Sequence, residues 1–331
     1  MASDASSLLA EHRHGPSPSA RRAAARADFV EAVLKGLWRR PRSIPCRFLY
    51  DARGSELFEA ITRLEEYYPT RVETALLKAY GADIARLAGA DRVLVEFGSG
   101  SSRKTSLLIE ALGNIPAYIP IEIAPECLRE AMAWLGVRHE DLTIVPLIAD
   151  FTKTRALPPI AQGRRRLGFF SGSTIGNLSH DEARAFLVNA AHLLGGDAMF
   201  LVGVDLKKPA SILVPAYDDA EGVSAAFNLN LLARINRELD GTFDLSAFAH
   251  EAIWNETAGR MEMYLKSLAD QTALVLGRRF PFAKGERIHT ENSHKYSVAE
   301  FQALARISGW QPVHAWTDAE QLFSLHLLRA G

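Results

Sequence analysis

Apolar and polar positions along this chain fall into a repeating order of strand, turn and helix. The sharpest instance is RVLVEFGSGSSRKTSLLIEAL, residues 92–112. An apolar run of strand length (Val93, Leu94, Val95, Phe97) ends in a Gly-Ser-Gly-Ser-Ser turn, after which Leu107, Leu108, Ala111 and Leu112 share one helical face. The same rhythm predicts strands over 117–123, 142–149, 167–170 and 198–204, with helices over 125–135 and 180–194. A helix over 298–309 and strands over 311–316 and 322–328 complete the series. Strands that alternate with helices imply a mostly parallel sheet covered on both faces, with ligands at the carboxyl ends of the strands.

Two stretches break that rhythm. Before it, helical patterns run over 29–38, around Leu57, Phe58, Ile61 and Leu64, and from Val72 toward Leu87; Pro69 biases Tyr68 toward an extended conformation. After Asp205 come a Pro-punctuated segment (207–219), a long helix (223–239) and period-2 segments over 249–256, 260–269, 272–276 and 287–290. Turns at Gly259, Asp270 and Gly285 suggest an antiparallel meander, inserted after the fifth strand and returning at Tyr296.

Composition narrows the choice of partner. The 331 residues, 48% of them hydrophobic, suffice for one large α/β domain and a smaller one. A formal net charge of −1 gives no support to nucleic acid or an anionic membrane as the main ligand. Two cysteines, Cys46 and Cys127, make neither a disulfide framework nor a cysteine zinc site, so a reducing cytoplasm is expected. No apolar run is long enough to span a bilayer, and no uncharged apolar stretch follows Met1. Residues 1–27 read as a disordered tail, and a monomer is the default.

The glycine turn points to a cofactor. Gly98 and Gly100 allow close backbone approach, and the following helix start offers free N–H groups. Three ligand classes compete with a ligand-free structural turn. A dinucleotide fingerprint lacks its third glycine, where Arg103 stands; a P-loop matches except that Arg103 precedes Lys104 and Thr105. An S-adenosylmethionine (SAM) site has an acidic residue near the strand end and a Gly-x-Gly turn, as in Glu96, Gly98 and Gly100. Glu122, about 20 residues further on, is placed for a ribose. Asp150 and Phe151 suit an adenine, and Gly172 to Asn177 follow the fourth strand. His289-Thr290-Glu291 has the H-x-E form but no P-C-x-x-C partner, and no metal-ligand spacing is found, so no metal is expected.

The sequence resembles the family of SAM-dependent L-histidine Nα-methyltransferases, which trimethylate histidine to hercynine in ergothioneine biosynthesis. The segments that carry the resemblance are FLYDARGSELFEAITRLEEYYPTRVE (48–73), VEFGSGSSRKT (95–105), PIEIAPECL (120–128), GSTIGN (172–177), PAYDDAEGVSAAFNLNLL (215–232) and IHTENSHKY (288–296). The resemblance implies an α/β fold: a Rossmann-like class I methyltransferase domain (72–206 and 296–331) with a second, smaller α+β substrate-binding domain (28–71 and 207–295). It implies that Gly98, Gly100, Lys104, Glu122, Asp150 and Phe151 hold SAM. It puts Asn177 and Tyr217 on the α-amino and carboxylate groups of L-histidine and Gly172 near the amine. Tyr50, Phe58 and Tyr67 then surround the substrate, with Tyr50, Tyr67 and Asn177 serving the chemistry, while Glu291 and Ser293 face the imidazole. Some members have an apolar residue and a cysteine where this chain has Asn292 and His294. Met263, on the meander, is a further candidate for the ring pocket, though a core position is the commoner fate of a methionine.

These assignments agree with the chemistry of methyl transfer, which asks the protein to align and desolvate an amine and to accept a growing ammonium against aromatic faces. Imidazole offers a donor and an acceptor, whereas indole offers only a donor. A tryptophan-type substrate is the alternative within the class; a P-loop-like ATP-binding protein and a non-catalytic SAM-binding module are the alternatives outside it.

Overall fold

The computed structural model describes residues 18–331 apart from Ser101. Helix α1 (Pro18–Trp38) leads to a two-residue strand β1 (Arg42–Ser43), a 3-10 turn (Cys46–Leu49), and helices α2 (Ala52–Ile61) and α3 (Tyr68–Ala88). Then β2 (Arg92–Phe97), α4 (Arg103–Leu112), β3 (Tyr118–Glu122), α5 (Pro125–Arg138), β4 (Leu147–Ile148), β5 (Arg165–Phe170), α6 (His180–Leu194) and β6 (Met199–Asp205) alternate. A short α7 (Ala210–Leu213) and α8 (Val223–Glu238) precede β7 (Phe248–Asn255), β8 (Arg260–Ser267), β9 (Gln271–Val275), β10 (Arg278–Phe282) and β11 (Arg287–His294). Helix α9 (Val298–Ile307), β12 (Trp310–Thr317) and β13 (Phe323–Ala330) close the chain.

Seven strands form the main sheet in the order β12-β13-β6-β5-β2-β3-β4, with β13 antiparallel to its neighbours and the others parallel. The strand rhythm implied this mostly parallel sheet, and the resemblance implied its Rossmann-like methyltransferase architecture. Strand β2 is buried along its whole length because its two faces meet two helical layers. Val93, Val95 and Phe97 pack with α6 and α9, and Leu94 packs with α3 and α4. Each such aliphatic side chain contributes about 1.5–3 kcal/mol through burial. From β2 the chain moves outward to β3 and β4, then returns to β5 on the other side of β2. The crevice outside the carboxyl ends of β2 and β5 is therefore the switch point where ligands bind in such sheets.

A second sheet, β1-β11-β8-β7, and a separate β9-β10 hairpin pack with α1, α2 and α8 around their own apolar cluster, which includes Phe29, Leu57, Phe227, Leu231, Met261 and Phe280. The expected meander is thus corrected: β11 pairs with β8, and the β9-β10 hairpin lies between them in sequence only. Its turn is hidden in the sequence because Leu276, an unusual left-handed residue, precedes Gly277 there (φ +49° and +73°).

Three further expectations change. Residues 18–27 of the expected tail are helical in α1, while residues 1–17 lie outside the described residues. Helix α3 starts at Tyr68 rather than Val72, because Pro69 falls in its first turn, where a missing N–H costs nothing; the chain leaves helical geometry one residue earlier, at Tyr67. The strand expected over 142–149 shrinks to Leu147–Ile148 and one bridge between Ile144 and Tyr118, since Pro146 has no N–H for a ladder. Among the described residues no helix is long and apolar enough to cross a membrane.

Candidate active site

The loop after β2 is shaped by backbone. Gly98, Gly100 and Ser102 all have positive φ (+74°, +50° and +53°), and the Gly98 N–H donates to Ile121 O at 2.8 Å. A Cβ on Gly98 would stand 3.5 Å from the Phe151 ring, and one on Gly100 would face open space. Phe151 is held edge-on by Phe170 and Phe186, at 5.3 and 5.5 Å between centroids. The Ser99 hydroxyl is buried with no hydrogen-bond partner among the described residues. Glu122, at the end of β3, accepts from Gly100 N at 3.2 Å through Oε2, and from Ile123 N and Ala124 N at 2.8 and 3.0 Å through Oε1. Asp150 accepts from Thr152 N and Oγ1 at 2.9 and 2.6 Å; burial opposes its charge, but these bonds and Lys153 hold its pKa below the usual value. A glycine cradle, an orphaned hydroxyl, two loop carboxylates and an aromatic edge fit an adenosyl group and its ribose.

Glu96 and Lys104 both have partners inside the protein. The Glu96 carboxylate is sealed inside β2, where it accepts from Thr105 Oγ1 at 2.7 Å and from the Tyr118 hydroxyl; desolvation pushes its pKa up to about 8. It belongs to the sheet interior, not to the ligand-facing strand ends. Lys104 donates from Nζ to Glu73 Oε2 at 2.6 Å. Glu73, fully buried on α3, also accepts the Gly172 N–H at 2.8 Å, so one carboxylate ties the helix after the first loop to the loop after β5. Gly203 on β6 makes room for it: a Cβ there would lie 2.1 Å from Glu73 Oε1.

On the other wall of the crevice, aromatic rings converge from two helices and from the residues that lead into α2 and α3. Tyr50, which precedes α2, stands 5.4 Å from both Phe58 (α2) and Phe227 (α8), and Phe58 lies 6.1 Å from Tyr67. Burial raises the Tyr50 and Tyr67 pKa values well above the usual phenol range, and Glu291 and Tyr217 are within electrostatic reach of both. Both phenols therefore stay protonated.

Strand β11 supplies the polar floor. Glu291 and Ser293 point to one face, opposite Met263 and Met261 on β8, which sit in the apolar cluster. Glu291 is only 8% exposed, makes no hydrogen bond, and has its pKa pushed up to about 7 by desolvation, partly offset by Lys295. Ser293 Oγ accepts from the Tyr217 hydroxyl at 2.8 Å and from Lys295 Nζ at 2.9 Å. Tyr217 is fixed from behind: Asn228 Nδ2 lies 2.9 Å from His250 Nδ1, so the network assigns the ring proton to Nε2, which sits 2.8 Å from Tyr217 O. Behind the floor, Asp205 binds Lys295 and Lys208, each at 2.5 Å, and the Tyr68 hydroxyl at 2.8 Å.

The two halves meet at the 3-10 turn Thr174–Asn177. A Cβ on Gly176 would come within 2.7 Å of His294 O, so only glycine lets this turn press against β11. Asn177 ends the turn half-buried, with no side-chain hydrogen bond. The structure thus gathers Tyr50, Phe58 and Tyr67 into one ring cluster and links Tyr217 with Ser293, beside Glu291. It also gives Lys104 a partner that sequence reasoning did not supply, Glu73. Sequence reasoning missed Glu73, Asp205, Phe227 and Lys295. Three of these lie inside the quoted segments, but nothing in their spacing announces partners that are far away in the chain.

A switch-point crevice with a glycine cradle, facing an aromatic pocket with a buried acid, defines a SAM-dependent methyltransferase acting on a small molecule. The profile of the family described as histidine-specific methyltransferase, SAM-dependent, matches residues 29–330, and the chain belongs to that family. It is 42% identical to a histidine N-alpha-methyltransferase of Mycolicibacterium smegmatis over 89% of this chain and 92% of that one. It is 40% identical to the protein of that name from Mycobacterium tuberculosis, with the same coverage. Ergothioneine biosynthesis protein 1 of Neurospora crassa is 30% identical over 87% of this chain, which spans 33% of that longer protein.

Proposed function

We propose that this enzyme transfers three methyl groups from SAM to the α-amino group of L-histidine, giving hercynine for ergothioneine biosynthesis. The observation that carries this reading is the buried, unpartnered Glu291 carboxylate beside Ser293, within reach of the aromatic cluster. An acid kept out of water without a partner is costly unless a ligand supplies the missing donor, and imidazole has one. In this reading residues 28–71 and 207–295 form the substrate-binding unit, and 72–206 with 296–331 form the cofactor unit. The enzyme acts as a cytoplasmic monomer on a free amino acid, without nucleic acid.

The bound cofactor supplies an electrophilic methyl group on a sulfonium. Gly98, Gly100, Glu122, Asp150 and Phe151 hold its adenosyl end, and Lys104 serves its charged tail. Asn177 and Gly172 orient the amine, and Tyr217 donates to the carboxylate. Tyr50 and Tyr67, kept protonated by burial, act as donors and ring faces rather than as bases, so the amine proton leaves to water. Tyr50, Phe58, Tyr67 and Phe227 line a wall that welcomes each more alkylated ammonium by cation–π attraction, worth about 0.5–2 kcal/mol. That preference drives the second and third transfers in one site.

The test is mass spectrometry of the enzyme incubated with SAM and an equimolar mixture of the twenty amino acids. A gain of three methyls on histidine alone is expected. Methylation of tryptophan, or of no amino acid, overturns the reading.

A further inference from the structure

A serine hydroxyl can donate or accept, and at Ser293 the surroundings decide which. The Lys295 ammonium is completely buried and finds three acceptors for its three protons: Asp205 Oδ2 at 2.5 Å, the Tyr217 hydroxyl at 2.7 Å and Ser293 Oγ at 2.9 Å. Tyr217, accepting from Lys295, passes its own proton to Ser293 Oγ at 2.8 Å. Ser293 therefore accepts twice, which occupies both of its lone pairs. Its single proton is left for the pocket. Two residues back on the same face of β11, Glu291 presents the unpartnered Oε2. The floor thus offers one donor and one acceptor, side by side.

We propose that Lys295, anchored by Asp205, fixes Ser293 as a donor, so that the enzyme binds histidine with a neutral ring whose bare nitrogen meets Ser293 and whose N–H meets Glu291. This rests on the histidine reading above. A doubly protonated ring has two donors and no acceptor, so it would set N–H against O–H close to a buried ammonium. Indole would leave the Ser293 proton without an acceptor, the kind of mismatch a polar pocket rejects most strongly. The other groups that face this floor are the Tyr50, Tyr67 and Tyr217 phenols, Cys46 on the turn before α2, and Lys208 behind Asp205. None of them supplies an ionised acceptor for a second ring N–H. When Tyr217 turns its proton to the substrate carboxylate, one lone pair of Ser293 is released, and the Lys295 ammonium, still donating to Ser293 Oγ, is then what disfavours a second positive charge on the ring. Lys295 is a positioning residue, since it acts on the ring only through Ser293.

The experiment is 15N NMR of ring-labelled L-histidine bound to the full-length enzyme with S-adenosylhomocysteine at pH 7. One protonated and one bare, hydrogen-bonded ring nitrogen are expected; two protonated nitrogens overturn the proposal. In Lys295→Met, histidine affinity should fall by about tenfold or more, the bound ring should lose the fixed pattern, and S-adenosylhomocysteine affinity should stay within about threefold. An unchanged ring spectrum at unchanged affinity in that variant overturns the role of Lys295. Lys295→Gln keeps N–H donors at the position and should restore the neutral ring, so it decides the matter if the methionine variant does not fold. A wild-type enzyme that binds no histidine sinks the substrate reading and this inference together, whereas bound histidine with a doubly protonated ring sinks the inference alone.

Discussion

In the crevice at β2, Glu122 and Asp150 are answered mostly by loop groups close to them in sequence: Glu122 by the amides of residues 123 and 124 as well as that of Gly100, Asp150 by Thr152. In the pocket under β11, partners come from across the chain: Tyr217 and Ser293 are 76 residues apart, and Tyr68 and Asp205 are 137 apart. One acid there, Glu291, leaves its Oε2 without a hydrogen-bond partner among the described residues. Glu122 and Asp150 thus sit in largely self-sufficient turns, while the pocket under β11 needs the whole fold to bring its charges together. On the proposed reading, a cofactor common to many enzymes is met by backbone shape, and a particular amino acid by a buried polar set that is complete only with its ligand.

The contrast breaks most readily at Asp205. Asp205→Ala leaves Lys295 and Lys208 buried without their carboxylate and should cost about 3–5 kcal/mol of stability in urea titrations. Glu122→Ala, which removes only bonds to loop amides, should cost about 1 kcal/mol. Equal losses would erase the distinction between the two halves.

A second expectation concerns Glu291, whose pKa near 7 lies above the unfolded carboxylate value of about 4.5. A raised carboxyl pKa means that the folded state holds the proton more tightly. Its contribution to stability is complete below pH 4.5 and is lost as pH rises through about 7. Glu291→Gln should therefore raise stability at pH 8 by about 2–3 kcal/mol, while weakening histidine at least tenfold and leaving S-adenosylhomocysteine nearly unaffected. Thermal unfolding and calorimetric titration of the two ligands would check both signs; a destabilised variant would mean that the acid is already satisfied in the free enzyme.

The smallest effect is expected on the aromatic wall. Phe58→Leu keeps most of the apolar volume but removes a ring face, so the third methyl transfer should slow by several-fold more than the first, within the ~0.5–2 kcal/mol of a cation–π contact. Accumulation of mono- and dimethylhistidine in a time course is the readout. Uniform slowing of all three steps would assign Phe58 to packing alone.

By itself the sequence determined the order of strands and helices in the main sheet, the glycine loop, the carboxylates at Glu122 and Asp150 and, through the quoted segments, the family. Those features are local: a period-2 run, a turn that needs positive φ, an acid at or just past a strand end. It misplaced two element bounds set by prolines, the start of α3 at Tyr68 and the strand interrupted by Pro146, and one long-range feature, the pairing of β11 with β8 across the β9-β10 hairpin. Only the tertiary structure decided that Glu96 is sealed in the sheet, that Lys104 answers Glu73, and that Lys295 and Asp205 stand behind Ser293 and Tyr217. Hydrogen-bond polarity and desolvation depend on which groups lie within about 3 Å of one another in space, and sequence spacing carries that information only for neighbours along the chain.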